Sequence, residues 1–442
     1  MEELAGKHVL VLGLGVTGRS AANFCAARGA RVIAADERDA ADLDSDELDA
    51  AIATQLGAPF PDAADFDLVV PSPGVPPQRY RAGARRVWGD VELAYRALAV
   101  PIVAVTGTNG KSTVTRLVEA GLCAAGLRAR AAGNVGDAAL ELVGAPLDVA
   151  VLEVSSFQLE TIETFRPRVA VVLNITPDHL DRHGSFDAYR DAKARILENQ
   201  QPDDVAVLDF ESAATRELAA RARGRVVGLR SHGALEEGAW LDGDTAVLAA
   251  PGAAPLRVEL QLQLAGRHNR ENALAALAAI WAFGCDVERA ATGIATFTGL
   301  PHRMERIARV AGVSYVNDSK ATNPAAALRA LESCQAPVVW IAGGRGKGLA
   351  FDSLTDSAAR RARAAVLIGE SADTLKDALA GRVPTHAATC LDAAVRTAAE
   401  LARPGDVVLL APACASQDQF RDFAARGECF RAAVHALEEN QG

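Results

Sequence analysis

The residues best suited to chemistry lie between Val105 and Thr113, which read Val-Thr-Gly-Thr-Asn-Gly-Lys-Ser-Thr. Glycines at such a turn let successive backbone N–H groups surround an anion, and a helix N-terminus behind them adds to the attraction. Lys111 contributes a point charge for β- and γ-phosphates, and Ser112 or Thr113 a hydroxyl for magnesium. Val105 stands where the strict phosphate-loop pattern has its first glycine. The flanking elements must supply the rest. Ile102 to Val105 is wholly apolar, as in a parallel strand buried on both faces, and Leu117, Val118, Leu122 and Ala125 recur at helical spacing. Strand, turn and helix together predict an ATP site built on Gly107, Thr108, Asn109, Gly110, Lys111, Ser112 and Thr113.

Other polar groups fall where buried strands end. Glu153 follows Val149–Leu152 directly, and an acid there is costly to bury unless paired or bound to a cation. It reads either as a magnesium ligand beside the phosphate loop or as an ion-paired structural glutamate. In Asn174-Ile175-Thr176-Pro177-Asp178-His179-Leu180-Asp181-Arg182-His183, the two histidines are four apart, a zinc spacing if helical. Pro177 and Gly184 speak against a regular helix, so spacing alone favours a polar loop. Tyr189 to Arg195 reads as an ordinary solvated helix, and nothing in the spacing marks Lys193. Further on, Asn317–Asn323, Gly343–Lys347 and Pro412–Ser416 each follow a short apolar strand. Loops after the strands of an open α/β sheet gather on one edge, so these three read as an anion pocket or as turn chemistry alone.

Near the start, a strand at 8–13 feeds Gly13-Leu14-Gly15-Val16-Thr17-Gly18, a helix follows around Ser20–Arg28, and a second strand ends at Asp36. Taken alone this fingerprint suggests an NAD-dependent dehydrogenase, although the turn suits any pyrophosphate and Asp36 any ribose or base donor. A third strand, Leu68–Val70, runs into Ser72-Pro73-Gly74, a stiff turn that either reverses the chain or faces ligand. Residues 39–64 are acidic, alanine-rich and expected at the surface.

At 442 residues the chain is long enough for several cores. Alternating strands and helices predict an α/β protein of three domains: a Rossmann-like N-terminal domain at 1–92, a central P-loop-type ATPase domain with a mostly parallel sheet at 93–299, and a C-terminal Rossmann-like domain at 300–442. Residues 231–264 alternate around Gly and Pro and read as small β-hairpins. A net charge of −10 argues against nucleic acid as a partner. Seven scattered cysteines without a Cys-x-x-Cys pair suit reduced thiols in a cytosol. Neither a leader nor an apolar run of about 18 residues is visible, so a cytoplasmic protein without membrane insertion is expected.

Set side by side, the stretches GLGVTG, SPG, TGTNGKST, GNVG, LEVSSFQLE, DHLDRH, GRHNRENALAA, TFTGLPHRME, NDSKATN and PACASQDQF resemble the Mur ligases of bacterial cell-wall synthesis. They run in order from residue 13 to 420. The resemblance implies an ATP-dependent amide ligase that adds D-glutamate to UDP-N-acetylmuramoyl-L-alanine through an acyl phosphate, a step on which cell shape and division depend. It assigns the nucleotide substrate to Val16, Thr17, Asp36, Arg38, Ser72, Gly74, Asn134 and His179. ATP is assigned to the Asn109–Thr113 loop with Asn269, Asn272, Arg303 and Asp318. Two magnesium ions would be held by Ser112 or Thr113, Glu153, His179 and a carbamylated Lys193, and D-glutamate would meet Thr322, Lys347, Ser416 and Phe423. Lys111, Glu153, His179, Lys193 and Asp318 are implied to be catalytic, and a monomer is expected. Two positions depart from the family pattern: Glu37, often Thr, and Arg345, often Asp.

Overall fold

Three sheets carry the chain in a computed structural model that describes residues 4–40, 43, 48–134, 136–263 and 266–439. The first sheet holds β1 (His8–Leu12), β2 (Arg31–Asp36), β3 (Ala53–Leu56) and β4 (Leu68–Pro71), all parallel in the order β3-β2-β1-β4. The second holds β5 (Ile102–Thr106), β6 (Ala129–Gly133), β7 (Val149–Glu153), β8 (Val169–Val172), β9 (Val205–Asp209), β10 (Arg225–Arg230), β11 (Gly238–Asp242), β12 (Thr245–Ala249) and β13 (Leu256–Glu259). Their order is β13-β12-β11-β10-β9-β8-β5-β7-β6. From β6 to β11 neighbours are parallel; β12 and β13 continue as an antiparallel meander. The third sheet holds β14 (Glu305–Val310), β15 (Val313–Asn317), β16 (Val338–Gly343), β17 (Ala362–Ile368), β18 (Thr385–Ala387) and β19 (Val407–Leu410). Its order is β14-β15-β19-β16-β17-β18, with only β14 antiparallel to its neighbour.

The chain divides into two compact units. One is Met1–Ile175 with Asp187–Phe297, carrying the first two sheets; the other is Thr176–Phe186 with Thr298–Gly442, carrying the third. The segment containing Asp178 and His179 therefore belongs with the C-terminal sheet.

The apolar runs became central strands because both their faces are covered. Val103, Val105, Val151 and Val171 are fully buried against Val114, Leu117 and Val118 of the Lys111–Ala124 helix and Leu274, Leu277 and Ile280 of the Arg267–Phe283 helix. In the third sheet Trp340, Ala342 and Leu409 face Leu331 and Leu354, while Val339, Ile341 and Leu410 face Val395 and Phe430. Strand alternation thus feeds one core on each face.

Short edge strands were not visible beforehand. β3, β6, β14 and β18 are polar or glycine-bearing, and only their neighbours make them strands. The first helix begins at Val16, not at Ser20. The expected hairpins at 231–264 are the β11–β13 meander, with Leu264 outside the described residues.

In the first unit the Asp90–Ala97 helix joins the first sheet to the second. Its Glu92 is 0% exposed and accepts the backbone N–H groups of Glu163, Thr164 and Phe165 at 2.9–3.0 Å, with Arg96 Nε at 2.7 Å. One residue pair earlier, Asp90 accepts Gln158 Nε2 at 2.9 Å.

Candidate functional site

In the first unit the glycine loop sits between β5 and the Lys111–Ala124 helix, at the carboxyl edge of the second sheet. Asn174, just beyond β8, braces it: the Asn174 carbonyl accepts Thr108 N–H at 2.7 Å, and its side chain exchanges bonds with both Asn109 N–H and Asn109 O at 3.1 Å. Gly110 adopts φ 91°, and a Cβ there would lie 2.6 Å from Asn272 Oδ1, so this position requires glycine. Asn272 is thereby placed against the loop, and Asn269 lines a small pocket with Thr113. Lys111 Nζ donates to Thr108 O at 2.9 Å, folding the lysine over the loop. Thr113 Oγ1 is buried and has no hydrogen-bond partner among the described residues. A hard, orphaned oxygen at a helix N-terminus fits a magnesium–phosphate group.

Glu153 is 1% exposed at the end of β7, where Val105 pairs with it across the sheet. Asn134 Nδ2 donates to its Oε1 at 2.7 Å, and Asn134 N–H to its carbonyl at 2.9 Å. Asn134 is thus an orienter of Glu153; Val135, next in GNVG, lies outside the described residues. The solvated-helix reading of Lys193 is overturned. Lys193 is 2% exposed, donates to Gly107 O at 2.8 Å and lies 4.8 Å from the Tyr189 ring centre. Tyr189 OH meets Thr108 Oγ1 at 3.1 Å. The helix carries a charge inward because the phosphate loop presents a carbonyl to receive it. Composition cannot show that.

The first sheet explains its fingerprint differently from a dinucleotide site. Asp36 is buried and spent internally, accepting Leu14 N–H at 2.7 Å and Arg38 N–H, Nε and NH2 at 2.8–3.0 Å. Burial alone would raise its carboxyl, but the bonds from Arg38 and Leu14 outweigh this and hold it below the usual range. Its work is to pin the glycine turn. Ser72 Oγ donates to Gly13 O at 2.6 Å, and a Cβ on Gly18 would lie 1.8 Å from Gly13 O. Val16 is exposed, Thr17 half-buried and Gly74 exposed on the same carboxyl edge. Glu37, the departure from pattern, pairs with Arg79.

In the second unit β15, β19 and β16 are adjacent and parallel, so their three loops do gather on one edge. Arg345 and Ala415 exchange backbone bonds at 2.9 Å, joining the β16 and β19 loops, while the Arg345 side chain pairs outward with Glu370 at 3.0 Å. Asp318 is buried and accepts Met304 N–H at 3.2 Å. Burial pushes its carboxyl up to about 6, against Arg303 and Lys320 nearby. Arg303 Nε is buried without a hydrogen-bond partner among the described residues. Ser416 is buried, Thr322 half-buried, and Phe423 lies under Lys320 Nζ at 4.7 Å.

Two residues that the sequence did not single out organise this edge. Asp178 is 4% exposed; its Oδ1 accepts Lys347 Nζ at 3.1 Å and His179 N–H at 2.9 Å, and its Oδ2 accepts Asn323 Nδ2 at 2.8 Å. Burial, the largest influence, raises its carboxyl, yet Lys347, His179 and Asn323 together bring it below the ordinary value. His179 stands at φ 52°, with its Nε2 3.4 Å from Lys347 Nζ. Arg426, 1% exposed, donates to the carbonyls of Ser319, Cys414 and Ala415 at 2.9–3.3 Å. Burial lowers this guanidinium to about 10. A signal for Arg426 was present: it shares a helical stripe with the buried Phe430, Ala433 and Val434. Among the described residues no three His, Cys, Asp or Glu side chains form a ready metal cluster. No helix there is long and apolar enough to cross a membrane.

Three family models match in chain order: Mur ligase MurD-like N-terminal domain at 7–84, Mur ligase middle domain at 105–280, and Mur ligase glutamate ligase domain at 302–414. The UDP-N-acetylmuramoylalanine–D-glutamate ligase of Geobacter metallireducens is 43% identical over 447 residues, with 98% of each chain covered. That of Anaeromyxobacter dehalogenans is 46% identical over 453 residues, with 97% of each covered. The chain belongs to the Mur ligase family, as a MurD-type member. Among solved Mur ligases, MurF of Thermotoga maritima in complex with ADP superposes with a TM-score of 0.61, covering 100% of this chain and 97% of its own at 16% identity, a likeness of fold. The three sheets of this Mur ligase thus match the family's architecture, and the dehydrogenase suggested by GLGVTG falls away. In this Mur ligase the dinucleotide-like turn serves a domain of another kind.

Proposed function

We propose that the chain is an ATP-dependent ligase that joins D-glutamate to UDP-N-acetylmuramoyl-L-alanine in peptidoglycan precursor synthesis, in the cytoplasm. The carrying observation is that a braced phosphate loop, with a buried glutamate and lysine at its side, occurs in a chain 43–46% identical throughout to ligases of that name. ATP use is further supported by the ADP in the MurF of similar fold. Functional domains at 1–92, 93–299 and 300–442 would divide the work: UDP substrate on the first, ATP on the second, amino acid on the third.

A carboxylate is a poor acyl donor, so the terminal alanine carboxylate must first take a phosphoryl group from ATP; an amine then attacks the acyl phosphate and phosphate leaves. In the first unit the loop N–H groups, Lys111, Asn269 and Asn272 would hold ATP and steady the charge that develops on the transferring group. Magnesium, when bound, neutralises phosphate charge; in the first unit Ser112, Thr113, Glu153 and a carbamylated Lys193 would hold it. Val16, Thr17, Asp36, Arg38, Ser72, Gly74 and Asn134 would bind or shape the nucleotide end, with Asp36 acting through Leu14 and Arg38. In the second unit Thr322, Lys347, Ser416 and Phe423 would position D-glutamate.

The test is phosphate release with ATP, UDP-N-acetylmuramoyl-L-alanine and a panel of amino acids including both glutamate enantiomers. D-Glutamate should be strongly preferred, and Lys111→Ala should abolish release. Equal turnover with any other amino acid, or an active Lys111→Ala, would overturn the reading.

A further inference from the structure

We propose that Asn174 is a positioning residue for ATP: its side-chain amide stands in for a peptide of the sheet and holds the phosphate loop ready before nucleotide arrives. This rests on the ATP-dependent reading above and extends it to a residue with no role assigned there. The parallel ladder between β5 and β8 runs as far as Leu173, whose N–H donates to Thr106 O at 2.9 Å. One more backbone bond follows, from Thr108 N–H to Asn174 O at 2.7 Å. There the side chain takes over. Asn174 Oδ1 accepts Asn109 N–H and Asn174 Nδ2 donates to Asn109 O, both at 3.1 Å. An amide offers one acceptor and a donor, the same pair that a backbone presents. Asn109 is therefore gripped at both its polar groups, as a strand residue would be, although it lies in a loop.

That grip decides where the loop's donors point. Across a trans peptide the C=O and the N–H lie on opposite sides, so tying Asn109 O to Asn174 turns the Gly110 N–H away from it. Gly110 then takes φ 91° and leads into the Lys111–Ala124 helix, whose first N–H groups have no acceptor within the helix. On the other flank a Cβ at Gly107 would lie 2.7 Å from Leu173 Cβ, so the loop is pressed against the end of β8 there too. Asn109 Nδ2 is left buried and without a hydrogen-bond partner among the described residues. A buried donor is costly to leave unmet, and a phosphate oxygen would meet it. An aspartate at 174 could only accept; the amide alone makes both bonds.

The experiment titrates the full chain, in the presence of magnesium, with a non-hydrolysable ATP analogue by calorimetry, and sets the affinities beside steady-state phosphate release. Asn174→Ala should weaken the analogue about tenfold and raise KM for ATP in proportion, while KM for UDP-N-acetylmuramoyl-L-alanine and for D-glutamate stays within about twofold. Asn174→Asp keeps the shape and the acceptor but loses the donor to Asn109 O and brings a negative charge to the loop. It should weaken the analogue at least as much as Asn174→Ala. Unchanged affinity in either variant, or all three KM values rising together, would reduce Asn174 to a structural residue and overturn the proposal. Amide exchange in wild type without nucleotide needs no variant to fold: Asn109 N–H should exchange at least about tenfold more slowly than Gly110 N–H. Equal rates would mean that the grip is not formed beforehand, and would also overturn the proposal. Failure of wild type to bind the analogue at all would instead overturn the ATP-dependent reading.

Discussion

Glu92 offers the sharpest separation of hydrogen bonding from charge in this fold. Its Oε2 accepts three successive N–H groups, from Glu163, Thr164 and Phe165, at 2.9–3.0 Å. Its Oε1 accepts Arg96 Nε at 2.7 Å and Thr164 Oγ1 at 2.6 Å, and shares Thr164 N–H at 3.0 Å. In Glu92→Gln the amide oxygen should take the Oε2 place, because an NH2 there would face three backbone N–H groups that cannot turn away, whereas at the Oε1 place the Thr164 hydroxyl can turn and the shared Thr164 N–H keeps Oε2. The NH2 then faces Thr164 Oγ1, which can turn and accept, and Arg96, which loses this bond but keeps Glu163 at 2.9 Å. One charge-assisted bond and the charge are lost, a cost of about 1.5–3 kcal/mol. Glu92→Ala strands the three N–H groups and the arginine together, and breaking such a buried pair costs roughly 3–5 kcal/mol. Calorimetric melting of wild type and both variants at neutral pH should give transitions in the order wild type, Gln, Ala, with the Gln variant clearly intermediate. If Gln melts with wild type, the charge is irrelevant; if it melts with Ala, the rotamer argument is wrong.

Asp90 and Lys193 give two further predictions. Burial raises the Asp90 carboxyl from an ordinary 3.8 to about 6, so wild type carries a penalty that is absent below about pH 4 and fully present above about pH 6. Asp90→Asn escapes it, and its stability relative to wild type should improve between pH 4 and 7 by on the order of 3 kcal/mol; a pH-independent difference would contradict this. Lys193→Arg keeps the charge but cannot fit the same slot between Gly107 O and Tyr189 or form a carbamate, so phosphate release should fall at least about 100-fold with the fold retained. Normal turnover would remove Lys193 from the mechanism.

How much could be read beforehand follows from which residues obey their local surroundings. β5, β7, β8 and β16 were legible because parallel strands covered on both faces must be apolar throughout. β6, Ala-Arg-Ala-Ala-Gly, and β14, Glu-Arg-Ile-Ala-Arg-Val, follow no such rule, since each lies at a sheet edge and takes its conformation from one neighbour. The strand, glycine turn and helix from Ile102 to Ala124 were legible because their signals are local. Lys193 was not, because the carbonyl that draws it inward belongs to Gly107, 86 residues earlier. Asp178 was hidden for a similar reason: His179 and His183 drew the eye by spacing, while the partners that give Asp178 its meaning lie 145 and 169 residues away.

The β11–β13 meander bears on solubility. Without it the large sheet would end at β10, whose Val226, Val227 and Leu229 would line an open ladder of backbone donors and acceptors, a template for another chain to join. The meander moves that boundary outward to β13, only four residues long, where Arg257 and Glu259 alternate with Leu256 and Val258. A short, charged edge is a poor match for a second copy. Excising residues 238–259 would bare that ladder and also strip Ala239, Leu241 and Leu248 from the core they share with Leu274 and Leu277, so the protein should be lost to self-association before its chemistry could be assayed.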